Sequence, residues 1–108
     1  MTQFRADDLK AYAAGLLQAG GYSPVHAERT ADILVWANAR GANSHGVLRI
    51  PRYIEMVEQG SINPVANPEL VTQNGAMAVL EAARAPGASA MVAAMDAAID
   101  VADRVNIC

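Results

Sequence analysis

The stretch GGYSPVHAERTADILVWANARG, residues 20–41, contains the stop of one helix and the whole of the next. Ser23 followed by Pro24 is typical of an N-cap with proline in the first turn, so we expect a helix to begin there. It should end near Arg40, with Gly41 at the left-handed position just past the end. Its apolar side is formed by Ala27, Ala31, Leu34 and Val35, widened by Ile33 and Trp36.

The segment before this stretch predicts a first amphipathic helix. From about Ala6 to Ala19 the apolar residues recur at helical spacing, and Gly20-Gly21 supplies the stop. The face that they share consists of Leu9, Tyr12, Ala13, Leu16 and Leu17. The amino-terminal part of the chain is thus predicted to form two consecutive helices.

Downstream, YIEMVEQG (53–60) predicts a third helix that closes at Gly60. The following SINPVANPEL (61–70) is broken by prolines, as connections between domains often are. We therefore place a boundary there and divide the chain into residues 1–64, a helical region, and residues 65–108, the start of a second domain.

The second region predicts a hairpin and a helix. In LVTQNGAMAVLEA (70–82) short β-favouring segments flank Asn74-Gly75, a strong signal for a hairpin turn. PGASAMVAAMDAAIDVADRV (86–105) returns to helical spacing. Its apolar face, expected in the core, consists of Met91, Met95, Ala98, Ile99 and Ala102. Asp96, Asp100 and Asp103 share another face, which we interpret as solvated rather than metal-binding.

Two isolated strands are marginally stable in water and need more sheet or a covering layer. Only one helix follows them, and the chain ends in RVNIC (104–108) with an apolar residue close to the terminus. We therefore expect a truncated chain, of which the part present is mainly α.

Composition excludes several classes of protein. With 53% hydrophobic and 18% charged residues the chain is of the globular type, and its net charge of -3 argues against a nucleic-acid partner. The single cysteine, Cys108, gives no internal disulfide. The run MTQFRADDLK lacks a signal-peptide pattern, and no apolar run reaches the roughly 20 residues that span a bilayer. We expect a cytoplasmic protein without membrane contact.

The run RGANSHGVLRIPRY, residues 40–53, gathers the residues that could carry chemistry. If the segment from His45 onward is helical, then His45, Arg49 and Tyr53 are four apart and share one face. Arg49 or Arg52 could bind a carboxylate through paired hydrogen bonds, His45 could exchange a proton, and Ser44 could orient the imidazole. Pro51 fits only if the helix begins a few residues earlier or kinks.

Less specific interpretations stay open for the same residues. Ser44 could be a capping serine beside a surface histidine, and arginines near a helix start are usually solvated. His26, alone in the second helix, is interpreted as structural or exposed. Nothing follows the glycine pattern of a Rossmann phosphate loop. A non-catalytic helical module that binds an acidic partner is the alternative to an enzyme.

The same run resembles the malate/L-lactate dehydrogenase family of nicotinamide-dependent oxidoreductases, which includes ureidoglycolate and sulfolactate dehydrogenases and cyclic imino-acid reductases. The resemblance rests on the pattern RG..SHGV.R...Y followed by G.INP, with the order of helices around it. These positions are Arg40-Gly41, Ser44-His45-Gly46-Val47, Arg49, Tyr53 and Gly60-Ser61-Ile62-Asn63-Pro64. In the lead-in, Asn38, Ala42 and Asn43 stand where many relatives have an acidic residue and a histidine.

The resemblance implies a role for each matched residue. His45 would donate or accept the proton at the substrate carbon, with Ser44 as its relay partner. Arg49 would bind the substrate carboxylate, and Tyr53 would form a wall of the substrate pocket. The reaction would move a hydride between NAD or NADP and a small 2-hydroxy acid, or reduce a 2-oxo acid or cyclic imine.

The resemblance also implies a larger architecture. The parent fold would be a distinct, non-Rossmann nicotinamide-binding α/β domain attached to the helical part, commonly in a homodimer. The cofactor-binding segments would lie beyond the position that matches Cys108. The chain by itself would then be inactive.

Overall fold

The computed structural model describes residues 5–106; Cys108 and the first four residues of the amino-terminal run lie outside this range. The chain is mainly α-helical with one two-stranded hairpin, as expected. Two short 3-10 turns, Asn43–His45 and Val47–Arg49, lie between the second and third helices. The other elements are α1 (Ala6–Ala19), α2 (Pro24–Ala39), α3 (Ile50–Glu58), β1 (Glu69–Asn74), β2 (Met77–Glu81) and α4 (Gly87–Val105).

The first three helices end in the same hydrogen-bonded motif. After α2, Gly41 has a φ of +83°, and the N–H of Ala42 donates to the carbonyl of Ala37 at 2.9 Å. This is the Schellman arrangement, in which a residue in the left-handed conformation lets the chain turn back and satisfy the last carbonyls. The same bonds close α1 and α3, at Gly21 and Gly60. The helix ends predicted from glycine are therefore confirmed.

The main core lies where α1, α2 and the start of α3 meet. Leu17 of α1 is completely buried, which stabilises the fold by about 2 kcal/mol. On α2 the contacting positions include Ala27 and Ala31, whose small side chains allow a close approach of the neighbouring helix. The core cluster consists of Ala13, Leu17, Tyr22, Ala27, Ala31, Leu34 and Ile50.

His26 joins α2 to the second half of the chain. Its imidazole is 1% exposed. The Nε2–H group donates to the carbonyl of Ala66 at 2.6 Å, and the hydroxyl of Ser89, near the start of α4, lies 2.6 Å from Nδ1. Since a carbonyl can only accept, the proton of the neutral ring is on Nε2 and Ser89 donates to Nδ1. Of the two interpretations left open for His26, the structural one is confirmed.

The hairpin is present, but its turn lies one residue later than predicted. Asn74 is the last residue of β1 and pairs with Met77, so Gly75 and Ala76 form the loop. Gly75 has a φ of +59°, as expected for glycine at the first position of a two-residue hairpin loop. The pairing register shifts once, between Leu70 and Thr72.

The segment that leads from β2 to α4 contains two left-handed residues that are not glycine, Ala83 (φ +52°) and Arg84 (φ +61°). Each such conformation costs about 1 kcal/mol or more. Two hydrogen bonds of Arg84 hold this segment in place. The carbonyl of Arg84 accepts from the N–H of Asn63 at 2.8 Å, and the Nη1 atom of Arg84 donates to the carbonyl of Gly60 at 3.1 Å. The exit of the hairpin is thereby tied to the end of α3.

The apolar face of α4 is not in the core, contrary to expectation. Met91, Met95 and Ile99 are 67%, 58% and 53% exposed, whereas Ser89 and Val101 are buried. The helix packs through a side that bears small residues and Val101, and within residues 5–106 nothing covers the methionines. Among the described helices, none combines the length and apolar character needed to cross a lipid bilayer.

The His26 network gives a first prediction. Replacing His26 with alanine leaves a cavity and two polar groups without partners, so the free energy of unfolding should fall by about 3 kcal/mol. Urea denaturation followed by circular dichroism measures this loss. The matched control is His45→Ala, at an exposed position, where the change should stay within about 0.5 kcal/mol. Equal losses in the two variants would contradict the structural role of His26.

Tyr22 gives a prediction about alkaline pH. Burial, and secondarily the nearby Tyr53, raise the pKa of Tyr22 from 10.0 to about 12. The folded state therefore holds this proton more tightly than the unfolded state, so the stabilisation is complete below pH 10 and is lost as the pH rises through 12. The free energy of unfolding should fall by roughly 2 kcal/mol over this range. In urea titrations Tyr22→Phe should show a shallower decline, and parallel pH profiles would contradict the assignment.

Candidate functional site

The Ser44-His45-Gly46 run connects α2 to α3 as two short turns rather than one helix. Gly46, with φ -98° and ψ -149°, is extended and separates the two 3-10 turns. The hypothesis of one helix from His45 to Tyr53 is therefore wrong. The helix begins at Ile50, so Pro51 lies in its first turn, where the missing N–H costs nothing.

Ser44 and His45 form a hydrogen-bonded pair at the surface. The Oγ atom of Ser44 lies 3.0 Å from Nδ1 of His45, and both side chains are exposed. Within residues 5–106 no other side chain bonds to either ring nitrogen. The imidazole thus has Nδ1 engaged by a hydroxyl, whereas Nε2 has no side-chain partner among the described residues.

The arginines of the run differ in their partners. The guanidinium of Arg40 lies 4.4 Å from the ring centroid of Trp36, and Nη1 of Arg52 forms an ion pair with Glu55 at 3.0 Å. Arg49 is exposed and has no carboxylate within ion-pair range in the described part of the chain. Of the two arginines proposed for a carboxylate, Arg49 is therefore the one whose guanidinium is available.

Tyr53 faces a different space from the Ser44–His45 pair. It is half-buried against the core and lines a cavity of about 450 Å³ together with Tyr22 and the first residues of α4. Ser44, His45 and Arg49 are not part of that lining. The structure brings Ser44 and His45 together and leaves Tyr53 apart, and its role as a substrate-pocket wall stays a prediction.

Asn38, which sequence reasoning noted only as a departure from relatives, lies near the end of α2 and bonds to residues on both sides of the Ser44–His45 pair. Its Oδ1 accepts from the N–H of Val47 at 2.8 Å, and its Nδ2 donates to Oδ1 of Asn43 at 2.9 Å. The signal in the sequence was an amide that continues the buried stripe of Ala31 and Leu34 on α2. Spacing could mark this position as unusual, but not identify its partners.

Gly46 is buried against this amide. A methyl group at residue 46 would overlap the side chain of Asn38. Residue 46 is thus glycine because the side chain of Asn38 approaches it closely, and not because a positive φ requires it.

Gly46→Ala should therefore displace Asn38 and lower the free energy of unfolding by about 1 to 3 kcal/mol. Thermal melts measure the loss. The matched control is Gly15→Ala, at an exposed position inside α1 with open space around it, which should raise stability by about 0.5 to 1 kcal/mol. If Gly46→Ala and Gly15→Ala changed the free energy of unfolding in the same direction, the lack of space at residue 46 would not be what determines the stability of the variant.

Comparison with known proteins extends these observations to the whole chain. The family described as malate/L-lactate dehydrogenase matches residues 4–108. The chain is 32% identical over 92 residues to malate/(S)-sulfolactate dehydrogenase of Methanothermus fervidus, covering 85% of this chain and 27% of the relative. It is 34% identical over 96 residues to 2,3-diketo-L-gulonate reductase of Citrobacter koseri, covering 89% and 29%.

Among solved structures, sulfolactate dehydrogenase from Methanocaldococcus jannaschii superimposes with a TM-score of 0.87 at 32% identity, covering 94% of this chain and 29% of that one. The chain thus spans less than a third of the length of these relatives. The matches confirm the resemblance that the sequence indicated.

Proposed function

Since the chain belongs to the malate/L-lactate dehydrogenase family, we propose that it provides the proton-transfer and carboxylate-binding side of an oxidoreductase for small 2-hydroxy and 2-oxo acids. The activity is proposed for a protein of the relatives' length. The observation that carries the proposal is the exposed Ser44–His45 pair, together with Arg49 at the end of the next short turn, which has no ion-pair partner in the described residues.

His45 would exchange the proton. Oxidation of a 2-hydroxy acid removes a proton from the hydroxyl and a hydride from the carbon that bears it. With Nδ1 bonded to Ser44, the proton passes between the substrate oxygen and Nε2 of His45. Ser44 would hold the ring in one orientation, so that Nε2 meets the substrate oxygen at hydrogen-bond distance.

Arg49 would bind the carboxylate of the substrate. Its guanidinium can make two parallel hydrogen bonds to a carboxylate, which fixes the orientation of the adjacent carbon as well as its position. Arg52 is less suited, because binding a substrate would require breaking its ion pair with Glu55.

Neither of two cavities in the described part of the chain offers a cation to the pyrophosphate of a dinucleotide. The larger cavity, of about 590 Å³ between α1 and α3, has Glu55 and Glu58 in its lining, which would repel a pyrophosphate, and no lysine or arginine. The cavity of about 450 Å³ also lacks a basic residue in its lining. NAD or NADP and the homodimer are proposed from the family resemblance alone, and the cytoplasmic location from the single cysteine, which offers no internal disulfide.

Kinetics of a protein of the relatives' length test the proposal. His45→Ala should lower kcat by about 100-fold or more while nicotinamide binding is spared. Arg49→Ala should raise KM for the acid and lower kcat/KM by roughly 10-fold or more, because carboxylate binding persists into the transition state. The matched control is Arg52→Ala, which should change either constant less than twofold.

Rates with a panel of 2-oxo acids, measured with NADH and with NADPH, provide these constants. Near-normal turnover of His45→Ala would remove the proton-transfer role. An unchanged KM for Arg49→Ala would remove Arg49 from substrate binding. Both results together would favour the helical interaction module instead.

A further inference from the structure

We propose that Asn38 is a positioning residue that holds the Ser44–His45 pair in place by bonding to the chain on both sides of it. This inference rests on the proposed function, because it concerns how His45 is held for proton transfer. Asn38 is assigned no contact with substrate, and it would act through His45.

The hydrogen bonds of Asn38 span the pair. Asn43 immediately precedes Ser44, and Val47 follows Gly46, so the three residues between them are fixed at both ends by one carboxamide. The identity of each amide atom follows from its partners. The N–H of Val47 can only donate, so it faces Oδ1 of Asn38, and Nδ2 then faces Oδ1 of Asn43.

The position of the Asn38 carboxamide is set by α2 rather than by the residues to which it bonds. The backbone carbonyl of Asn38 accepts from the N–H of Gly41 at 3.0 Å within the Schellman motif, so the end of the helix is fixed. The run has only short 3-10 turns of its own, whose hydrogen bonds are of poorer geometry than those of an α-helix. We call the two side-chain bonds of Asn38, to Asn43 and to Val47, the Asn38 bracket.

The bracket needs a hydrogen-bond donor between residues 38 and 43. In Asn38→Asp, one carboxylate oxygen can still accept from Val47, and the amide of Asn43 can rotate to donate to the other. In the double variant N38D/N43D, two carboxylates face each other with no donor, so the bond between residues 38 and 43 is lost while a carboxylate oxygen of residue 38 can still accept from the N–H of Val47. Asn38→Leu loses both bonds while placing an apolar side chain on an apolar stripe of α2.

Nuclear magnetic resonance of the 108-residue chain tests the bracket without any assay of turnover. In Asn38→Leu, amide exchange at Val47 should be about tenfold faster, and in both Asn38→Leu and N38D/N43D the side-chain couplings of His45 should average over rotamers. Asn38→Asp should retain protection at Val47. Asn43→Ala, at an exposed site that does not support the core, should release the residues that precede Ser44 and increase the rotamer averaging of the His45 side chain.

The matched control is Asn63→Leu. Oδ1 of Asn63 accepts from the N–H of Val65 at 3.3 Å, a side-chain-to-backbone bond in a different loop, and its loss should leave the couplings of His45 unchanged. Unaltered Val47 exchange and His45 couplings in both Asn38→Leu and Asn43→Ala would overturn the proposal.

Activity of a protein of the relatives' length supplies the second measurement. Asn38→Leu should lower kcat by about tenfold with little change in KM for the acid, since Arg49 lies beyond Val47, and Asn38→Asp should restore the rate. A KM change without a kcat change would overturn the positioning role. If the His45 couplings in Asn38→Leu averaged over rotamers while kcat stayed unchanged, the proposed function would be wrong, but the Asn38 bracket would still be supported.

Discussion

The buried imidazole of His26, bonded on one side to the carbonyl of Ala66 and on the other to the hydroxyl of Ser89, joins the two halves of the chain. Burying a polar ring is unfavourable unless each nitrogen has a partner, and here the partners come from the connection and from α4. The hairpin adds little buried surface to the fold, since every residue of β1 is exposed. The packing of α4 on α2 therefore depends strongly on this one side chain.

Local signals in the sequence predicted the helices well, because capping and glycine turns act over a few residues. Ser23, Pro24 and Gly41 placed both ends of α2 correctly. The hairpin turn was misplaced by one residue, because Asn74-Gly75 and Gly75-Ala76 are both acceptable loops and the strand pairing decides between them. The boundary between residues 1–64 and 65–108 stays a prediction, and the bonds of His26 cross it.

Less of the candidate site could be predicted, because its geometry depends on contacts between separate elements. Periodicity grouped His45 with Arg49 on a helix, but a buried glycine against Asn38 interrupts that helix. Spacing could not separate Arg49 from Arg52, since the difference is an ion pair with Glu55. Likewise, the spacing of Met91 and Met95 identified an apolar face of α4 without showing whether anything covers it.

The two ends of α2 have complementary tasks. His26 fixes the helix near its start, and Asn38 contacts the Ser44–His45 run twelve residues later, about 18 Å along the axis at about 1.5 Å per residue. Ala27, Ala31 and Leu34 pack in the core between these two contacts, so the helix is a rigid spacer between the buried imidazole and the surface pair. A tilt of only about 3° about the first turn moves the far end by about 1 Å, a displacement large enough to matter for proton transfer. The alignment of the surface pair consequently depends on how firmly the core holds a helix whose first turn lies about 18 Å away.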